Sequence, residues 1–420
     1  MPILVKNIKQ LLSVYPSPPE KLSGKAMNSV PTIENAFLFM EDDLISRFGS
    51  MNDLSALKDF ETIPNLEVID ASGRLVFPSW CDSHTHLVFA GSREDEFVDK
   101  IRGLDYEEIA RRGGGIISSV KKLRDASMED LIKQALLRVD EIILAGTAAV
   151  EIKSGYGLSL ESEMKMLRVI KYLKENTPLS IRSTFLAAHA VPPEYKENRA
   201  DYVKLITDEM IPLVANENLA DYCDVFCDRG FFTVNETDLI LKAGLKHGLI
   251  PKIHANELDF SGGIQVGVKN HALSVDHLEY TSEEEIKVLL ASSTMPTLLP
   301  TTAFFLRLPY APARKMIDAG LPVALASDYN PGSSPSGKMS FVLSLACIQM
   351  RMTPEEAFNA ATINGAYAMG LSESHGTISP RKKANVFISK PIPSLSYLPY
   401  SFGSDLIETC ILNGKIYKPQ

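Results

Sequence analysis

Two histidines one residue apart, His84 and His86, sit in the otherwise apolar run 77–90. Side chains alternate along an extended strand, so both imidazoles leave the same face and can share one divalent ion. The competing reading is a histidine pair on the solvent face of an ordinary strand. Later strand-like runs end in Lys153, His189, His254, His277 and Asp328. Imidazoles and a carboxylate at one rim, with a water position left open, describe a catalytic zinc or a similar first-row ion. Such an ion brings the pKa of its water toward neutrality and makes hydroxide available as a nucleophile.

Other residues near that rim have chemistry to offer. Asp328 can ligate the ion and accept the water's proton. His277 can assist that transfer or stabilise charge on the attacked centre, or serve only as an orienting partner. Glu257, three residues after His254, is placed to donate a proton to a ring nitrogen; a solvated loop carboxylate is its plainer reading. Arg93 lies on the loop after the first run, where it suits a bidentate grip on a substrate carboxylate; otherwise it pairs with Glu94 or Glu96. Tyr156, between two glycines, either closes over a substrate or simply packs. Asn330, Gly332 and Ser333 follow Asp328 in a loop whose backbone N–H groups could meet a second anionic end of a ligand, unless it is a plain turn.

These residues need a frame. Strand-like runs occur at 80–88, 148–153, 183–190, 222–228, 252–256, 273–278, 295–300 and 323–328, and helical patterns lie between them, at 128–145, 160–175, 233–247 and 282–291. Eight β-then-α units specify an α/β fold, a (β/α)8 barrel with its active site at the C-terminal strand ends, which needs about 250 residues. Residues 79–375 suffice. A doubly wound open sheet is the structural alternative, but no Gly-rich dinucleotide loop follows the first strand. Residues 1–78 and 376–420 read instead as short strands, with Asn413-Gly414 a two-residue hairpin signal. Both chain ends are expected to build one small β-sandwich domain beside the barrel.

The chain has 420 residues, a formal charge of -9, 45% hydrophobic and 23% charged residues. That composition fits a globular protein with a sizeable core, and no basic stretch awaits a nucleic acid. The five cysteines are odd in number and sit in apolar runs, as buried thiols in a reducing compartment would. Neither a signal peptide nor an apolar run of roughly 18 to 20 residues is evident, so no membrane partner and a cytoplasmic location are expected. His247, His271 and His375 are expected at the surface.

Taken together, Ser83-His-Thr-His-Leu-Val-Phe, Gly91-Ser-Arg-Glu, Gly113-Gly-Gly-Ile, Glu151-Ile-Lys-Ser-Gly-Tyr-Gly, Ala188-His-Ala-Val-Pro-Pro-Glu-Tyr, Lys252-Ile-His-Ala-Asn-Glu, Val275-Asp-His-Leu and Ser327-Asp-Tyr-Asn-Pro-Gly-Ser-Ser resemble the imidazolonepropionases, a family of the amidohydrolase superfamily. The resemblance implies hydrolysis of the small molecule 4-imidazolone-5-propanoate to N-formimidoyl-L-glutamate, in histidine degradation. It implies one Zn2+ or Fe3+ per subunit, held by His84, His86, His254 and Asp328. It implies that Arg93, Tyr156, His189, Glu257, Asn330, Gly332 and Ser333 touch substrate or product, that Lys153 stays out of the metal set, and that the protein pairs as a homodimer. One departure is Pro78-Ser79-Trp80-Cys81-Asp82, where the family usually has Pro-Gly before the aspartate. Two rivals remain: a nucleobase aminohydrolase, for which a carboxylate grip would be useless, and a barrel that has become a scaffold, for which an intact ligand set would be needless.

Overall fold

The computed structural model describes residues 1–54, 60, 62–104 and 114–419. The first of the glycines in the Gly113-Gly-Gly-Ile motif therefore lies outside the described residues. Five strands open the chain: β1 (Ile3–Leu12), β2 (Thr32–Glu41), β3 (Leu44–Ser50), β4 (Glu67–Asp70) and β5 (Leu75–Pro78).

The barrel follows: β6 (Trp80–Thr85), β7 (Thr147–Lys153), β8 (Ser180–Ala188), β9 (Tyr222–Cys227), β10 (Ile250–Ala255), β11 (Ser274–His277), β12 (Met295–Leu298) and β13 (Ala324–Leu325). Neighbouring strands pair in parallel, in chain order. All eight expected runs are strands, most of them shorter at the C-terminal end than the runs suggested. Parallel barrel strands are covered on both faces, and β6, β7, β9 and β11 are buried at every position. The helices between them start where their caps are written. Thr233 with Glu236 and Ser282 with Glu285 form reciprocal capping boxes, each satisfying two orphan N–H groups of the first turn.

The sheet closes just past β13. Asp328 N donates to His84 O at 2.9 Å, and His86 N donates to Tyr329 O at 2.9 Å. Asp82 tightens the seam: its carboxylate accepts from Ser327 N at 2.9 Å and Ser327 Oγ at 2.5 Å. Burial pushes the Asp82 carboxyl up to about 7 against the lowering effect of those bonds.

The C-terminal strands β14 (Val386–Ser389), β15 (Ile407–Leu412) and β16 (Lys415–Ile416) join β1–β5 in one continuous eight-stranded sheet, branched at β1. Asn413 and Gly414 link β15 to β16 with φ of 49° and 68°, both positive as a type I′ turn requires. An aromatic joint fastens this sheet to the barrel: Phe77 stacks on Phe387 at 4.8 Å, and Trp80 meets Phe387 at 4.9 Å and Phe358 at 5.8 Å. Ser79, the departure noted above, falls between β5 and β6 and touches none of the expected ligands. Its N–H donates to Asn385 O at 3.0 Å.

His247 and His271 are exposed as expected, but His375 is buried. Its turn tucks inward at Gly376, and its ring nitrogens lie 2.8 Å from Ser374 Oγ and 2.9 Å from Ser180 Oγ. A glycine-flanked turn suggests the surface, but this one folds into an interface.

Candidate metal centre

Closure of the barrel brings the first strand's histidines against the loop after the last. His84 Nε2 lies 3.6 Å, and His86 Nε2 3.5 Å, from Asp328 Oδ1. His254 reaches in from the end of β10, its Nε2 at 3.4 Å from His86 Nε2. One ligand atom from each of His84, His86 and His254 lies within 4.8 Å of the others. Asp328 takes a positive φ of 52°, a conformation costly for a non-glycine residue and typical of functional sites. Thr302 Oγ1 donates to its Oδ2 at 2.5 Å.

The donor set fits a divalent cation. His84 Nδ1 faces Asp276 Oδ2 at 2.7 Å, and His254 Nδ1 faces Asp224 Oδ1 at 3.1 Å. A carboxylate accepts only, so those nitrogens carry the protons and both Nε2 atoms present lone pairs. His84 Nε2 is buried with no partner. Lone pairs converging on one point with a carboxylate oxygen repel one another unless a cation sits among them. Burial, reinforced by neighbouring charges, lowers the pKa of His84 and of His86 well below the ordinary imidazole value, which keeps both in the neutral form that ligates.

Lys153 stands apart from this set. Its ammonium is fully buried and bonded to Glu151 Oε1 at 2.5 Å and Asp224 Oδ2 at 2.8 Å. Burial would lower its pKa, but Asp224, Glu151 and Asp276 override that and hold it above the ordinary value.

His277 ends β11, its ring 5.3 Å from that of His254 and 5.6 Å from that of His84. Its φ of 85° is again positive. Glu257 Oε2 approaches His277 Nε2 at 3.7 Å, and Glu279 Oε1 approaches His277 Nδ1 at 3.6 Å. Glu257 is not a solvated loop residue; it is buried. Burial pushes its carboxyl up to about 8, with His277 opposing. For His277 burial works downward, yet the flanking glutamates raise it to about 10. Asp228 fixes the Glu257 loop by accepting the N–H groups of Glu257 and Leu258 at 2.7 and 2.9 Å.

His189 stacks on His86 at 5.0 Å with 17° between the rings, its Nδ1 3.1 Å from Gly155 O. Burial lowers its pKa to about 3. Tyr156 is buried, 5.7 Å from the His86 ring and 5.5 Å from that of His189. Its loop hangs on Glu163, whose carboxylate accepts from Gly155, Gly157 and Leu158 N–H groups at 3.1, 2.8 and 2.8 Å. Burial raises the Tyr156 hydroxyl above its ordinary value, with Asp328 adding to and Arg93 opposing that rise, so both charges act on this residue.

Arg93 makes the ion pair that the plainer reading offered: its Nε and Nη2 donate to Glu96 at 3.0 and 2.6 Å. That uses one edge of the fork. Nη1 lies against Gly332, where a Cβ would stand 2.0 Å away. The expectation that Gly332 and Ser333 hold free N–H groups is corrected: both donate to Asn330 Oδ1 at 2.8 Å. An asparagine side chain folds back on its own turn in this way.

The residues missed from sequence are Asp224, Asp276 and Glu279, together with Asp228 and Glu163. The signal was an acidic side chain inside an apolar strand, as in Tyr222-Cys-Asp-Val and Val275-Asp-His.

The Amidohydrolase family model matches residues 75–417. An imidazolonepropionase from Flavobacterium johnsoniae is 57% identical over 413 residues, covering 98% of this chain and 99% of that protein. The chain belongs to the imidazolonepropionase family of amidohydrolases. Imidazolonepropionases from Christiangramia forsetii (54% identical, 99% of this chain and 100% of that protein) and Geobacillus kaustophilus (44%, 99% and 97%) agree. Among solved structures, Escherichia coli guanine deaminase aligns over 100% of both chains with a TM-score of 0.74 at 14% identity, a likeness of fold alone. Family membership makes this a hydrolase of a carbon–nitrogen bond in a small molecule, and the family together with the buried histidine cluster points to a divalent metal.

Proposed function

We propose that this chain hydrolyses 4-imidazolone-5-propanoate to N-formimidoyl-L-glutamate. The observation that carries the reading is an imidazole and carboxylate donor set at the same barrel mouth as an arginine whose fork, among the described residues, meets a carboxylate on one edge only. A ring carbonyl and a propanoate are the two ends such a site would hold.

When bound, the ion supplies Lewis acidity and makes hydroxide available near neutral pH. Asp328 accepts the proton of the attacking water. The water oxygen adds to the carbonyl carbon, the ring C–N bond breaks with its electron pair going to nitrogen, and the carbon stays in the opened chain as a carboxylate, releasing the water's second proton. Glu257, protonated at neutral pH by its burial, gives its proton to the departing ring nitrogen. His277, whose other ring nitrogen faces Glu279, is placed to stabilise the oxyanion as it develops. The edge of Arg93 turned away from Glu96 takes the propanoate in a bidentate grip. Gly332 leaves room for that guanidinium, while Tyr156 and His189 wall the ring. Asn330 and Ser333 shape the loop that borders the carboxylate.

The ion would be Zn2+ or Fe3+, one per subunit, with His84, His86, His254 and Asp328 as ligands. The reading further places the protein in the cytoplasm, supported by cysteines that are all free and mostly buried, and as a homodimer. No helix among the described residues is long and apolar enough to cross a membrane. Residues 79–375 would form the catalytic domain, with 1–78 and 376–420 the small one.

An assay decides the central point: purified, metal-loaded protein should open the imidazolone ring. No turnover at full metal occupancy overturns the reading. Guanine and cytosine serve as controls and should release no ammonia, because neither offers Arg93 a carboxylate.

A further inference from the structure

Five charged side chains lie beneath the histidine cluster, each exposed by 1% or less: Glu151, Lys153, Asp224, Lys252 and Asp276. The two-residue strand period puts them there. Glu151 and Lys153 share one face of β7, Lys252 and His254 one face of β10, and β10 and β11 set His254 beside Asp276. Such a cluster is costly to bury unless every charge is paired and hydrogen-bonded, and here each is. Lys153 Nζ donates to Glu151 at 2.5 Å and Asp224 at 2.8 Å and lies 3.7 Å from Asp276 Oδ2. Lys252 Nζ bonds to the other oxygen of Glu151. Ser274 Oγ donates to Asp276 Oδ1 at 2.5 Å.

The two aspartates are those that hold the ligand histidines. Asp276 presents one oxygen, Oδ2, to both His84 Nδ1 and Lys153. Asp224 splits its oxygens, Oδ1 to His254 and Oδ2 to Lys153. One ammonium therefore bridges both histidine–aspartate pairs. We infer that Lys153 is a positioning residue that sets His84 and His254 together, so that the two aspartates contribute to metal affinity jointly and not as separate props. This rests on the reading of His84 and His254 as ligands. With Lys153 in place the aspartates are engaged from below, and neither is free to swing up and ligate.

The test uses the full chain and reads metal binding as well as turnover. Zn2+ affinity is measured by chelator competition, and the ligand field by the visible spectrum of the Co2+-loaded protein. Outer partners of metal-bound histidines typically contribute ten- to a hundredfold in affinity. Lys153→Met is expected to lose affinity in that range and to shift the Co2+ bands. A folded Lys153→Met with wild-type affinity and spectrum overturns the inference. Asp224→Asn and Asp276→Asn, which keep shape, decide the matter if Lys153→Met does not fold. Each should weaken binding, and the double variant should depart at least about threefold from the product of the single effects, because contacting partners are non-additive. A product that multiplies cleanly overturns the coupling. Failure of the wild type itself to bind Zn2+ or Co2+ would instead bring down the ligand assignment.

Discussion

Two layers of the same barrel treat buried polarity in opposite ways. In the lower layer Glu151, Lys153, Lys252, Asp224 and Asp276 all find partners, and none of their atoms is among the unpaired. In the upper layer His84 Nε2, His86 Nδ1 and His277 Nδ1 have no hydrogen-bond partner, although they are as deeply buried. A buried polar atom left alone costs about 1–3 kcal/mol, a cost that a cation would relieve at His84 Nε2. The lower layer is scaffold, and the upper layer is built for ligands.

That contrast can be broken at several places. The largest effect should come from the upper layer. Stripping the ion with a chelator, or replacing Asp328 by alanine, should take ring opening to background while circular dichroism stays native; global unfolding would mean that the upper layer is scaffold too. Next, Glu257→Gln removes the proposed proton donor and should lower kcat by about 10²–10⁴-fold with metal content unchanged. A drop in metal content alone would reassign Glu257 to ligand support. In the lower layer the expected loss is stability: Lys252→Met leaves one oxygen of Glu151 without its ammonium while Lys153 still holds the other, and should cost about 1–3 kcal/mol, read by denaturant unfolding. An unchanged midpoint would contradict the scaffold reading.

Smaller effects sharpen the picture. Arg93→Lys keeps the charge but loses the fork, and should raise KM about ten- to a hundredfold with a lesser change in kcat. Equal losses in kcat would move Arg93 from binding to chemistry. Smallest of all, the partly exposed Arg74–Glu408 pair, at 3.0 Å, should contribute less than about 1 kcal/mol, as surface pairs do. Arg74→Ala measures this by thermal melt and calibrates the buried value against it.

The sequence made the upper layer legible and left the lower one hidden. His84-x-His86, His254 and Asp328 stand at strand ends, where residue type and position both point to ligation. The eight strand runs were visible because buried parallel strands are near-continuous apolar stretches. Asp224, Asp276 and Glu279 escaped because an acid inside a strand looks like a local exception; its partner is a lysine or histidine on another strand, and cross-barrel pairing has no sequence spacing. The Asn330 turn was misread for a related reason. Its side chain competes for the N–H groups of Gly332 and Ser333, and only three-dimensional placement shows which acceptor wins. His375 was judged by its glycine neighbour and not by the interface into which its turn folds.

The seam between Asp82 and Ser327 joins residues 245 positions apart, and on the ligand set proposed above Asp328 meets the histidines only when that seam forms. A nascent chain halted before residue 328 can thus possess all three imidazoles and still lack a complete cation pocket. On that ligand set, truncation products ending before residue 328 should emerge metal-poor however well their early helices form.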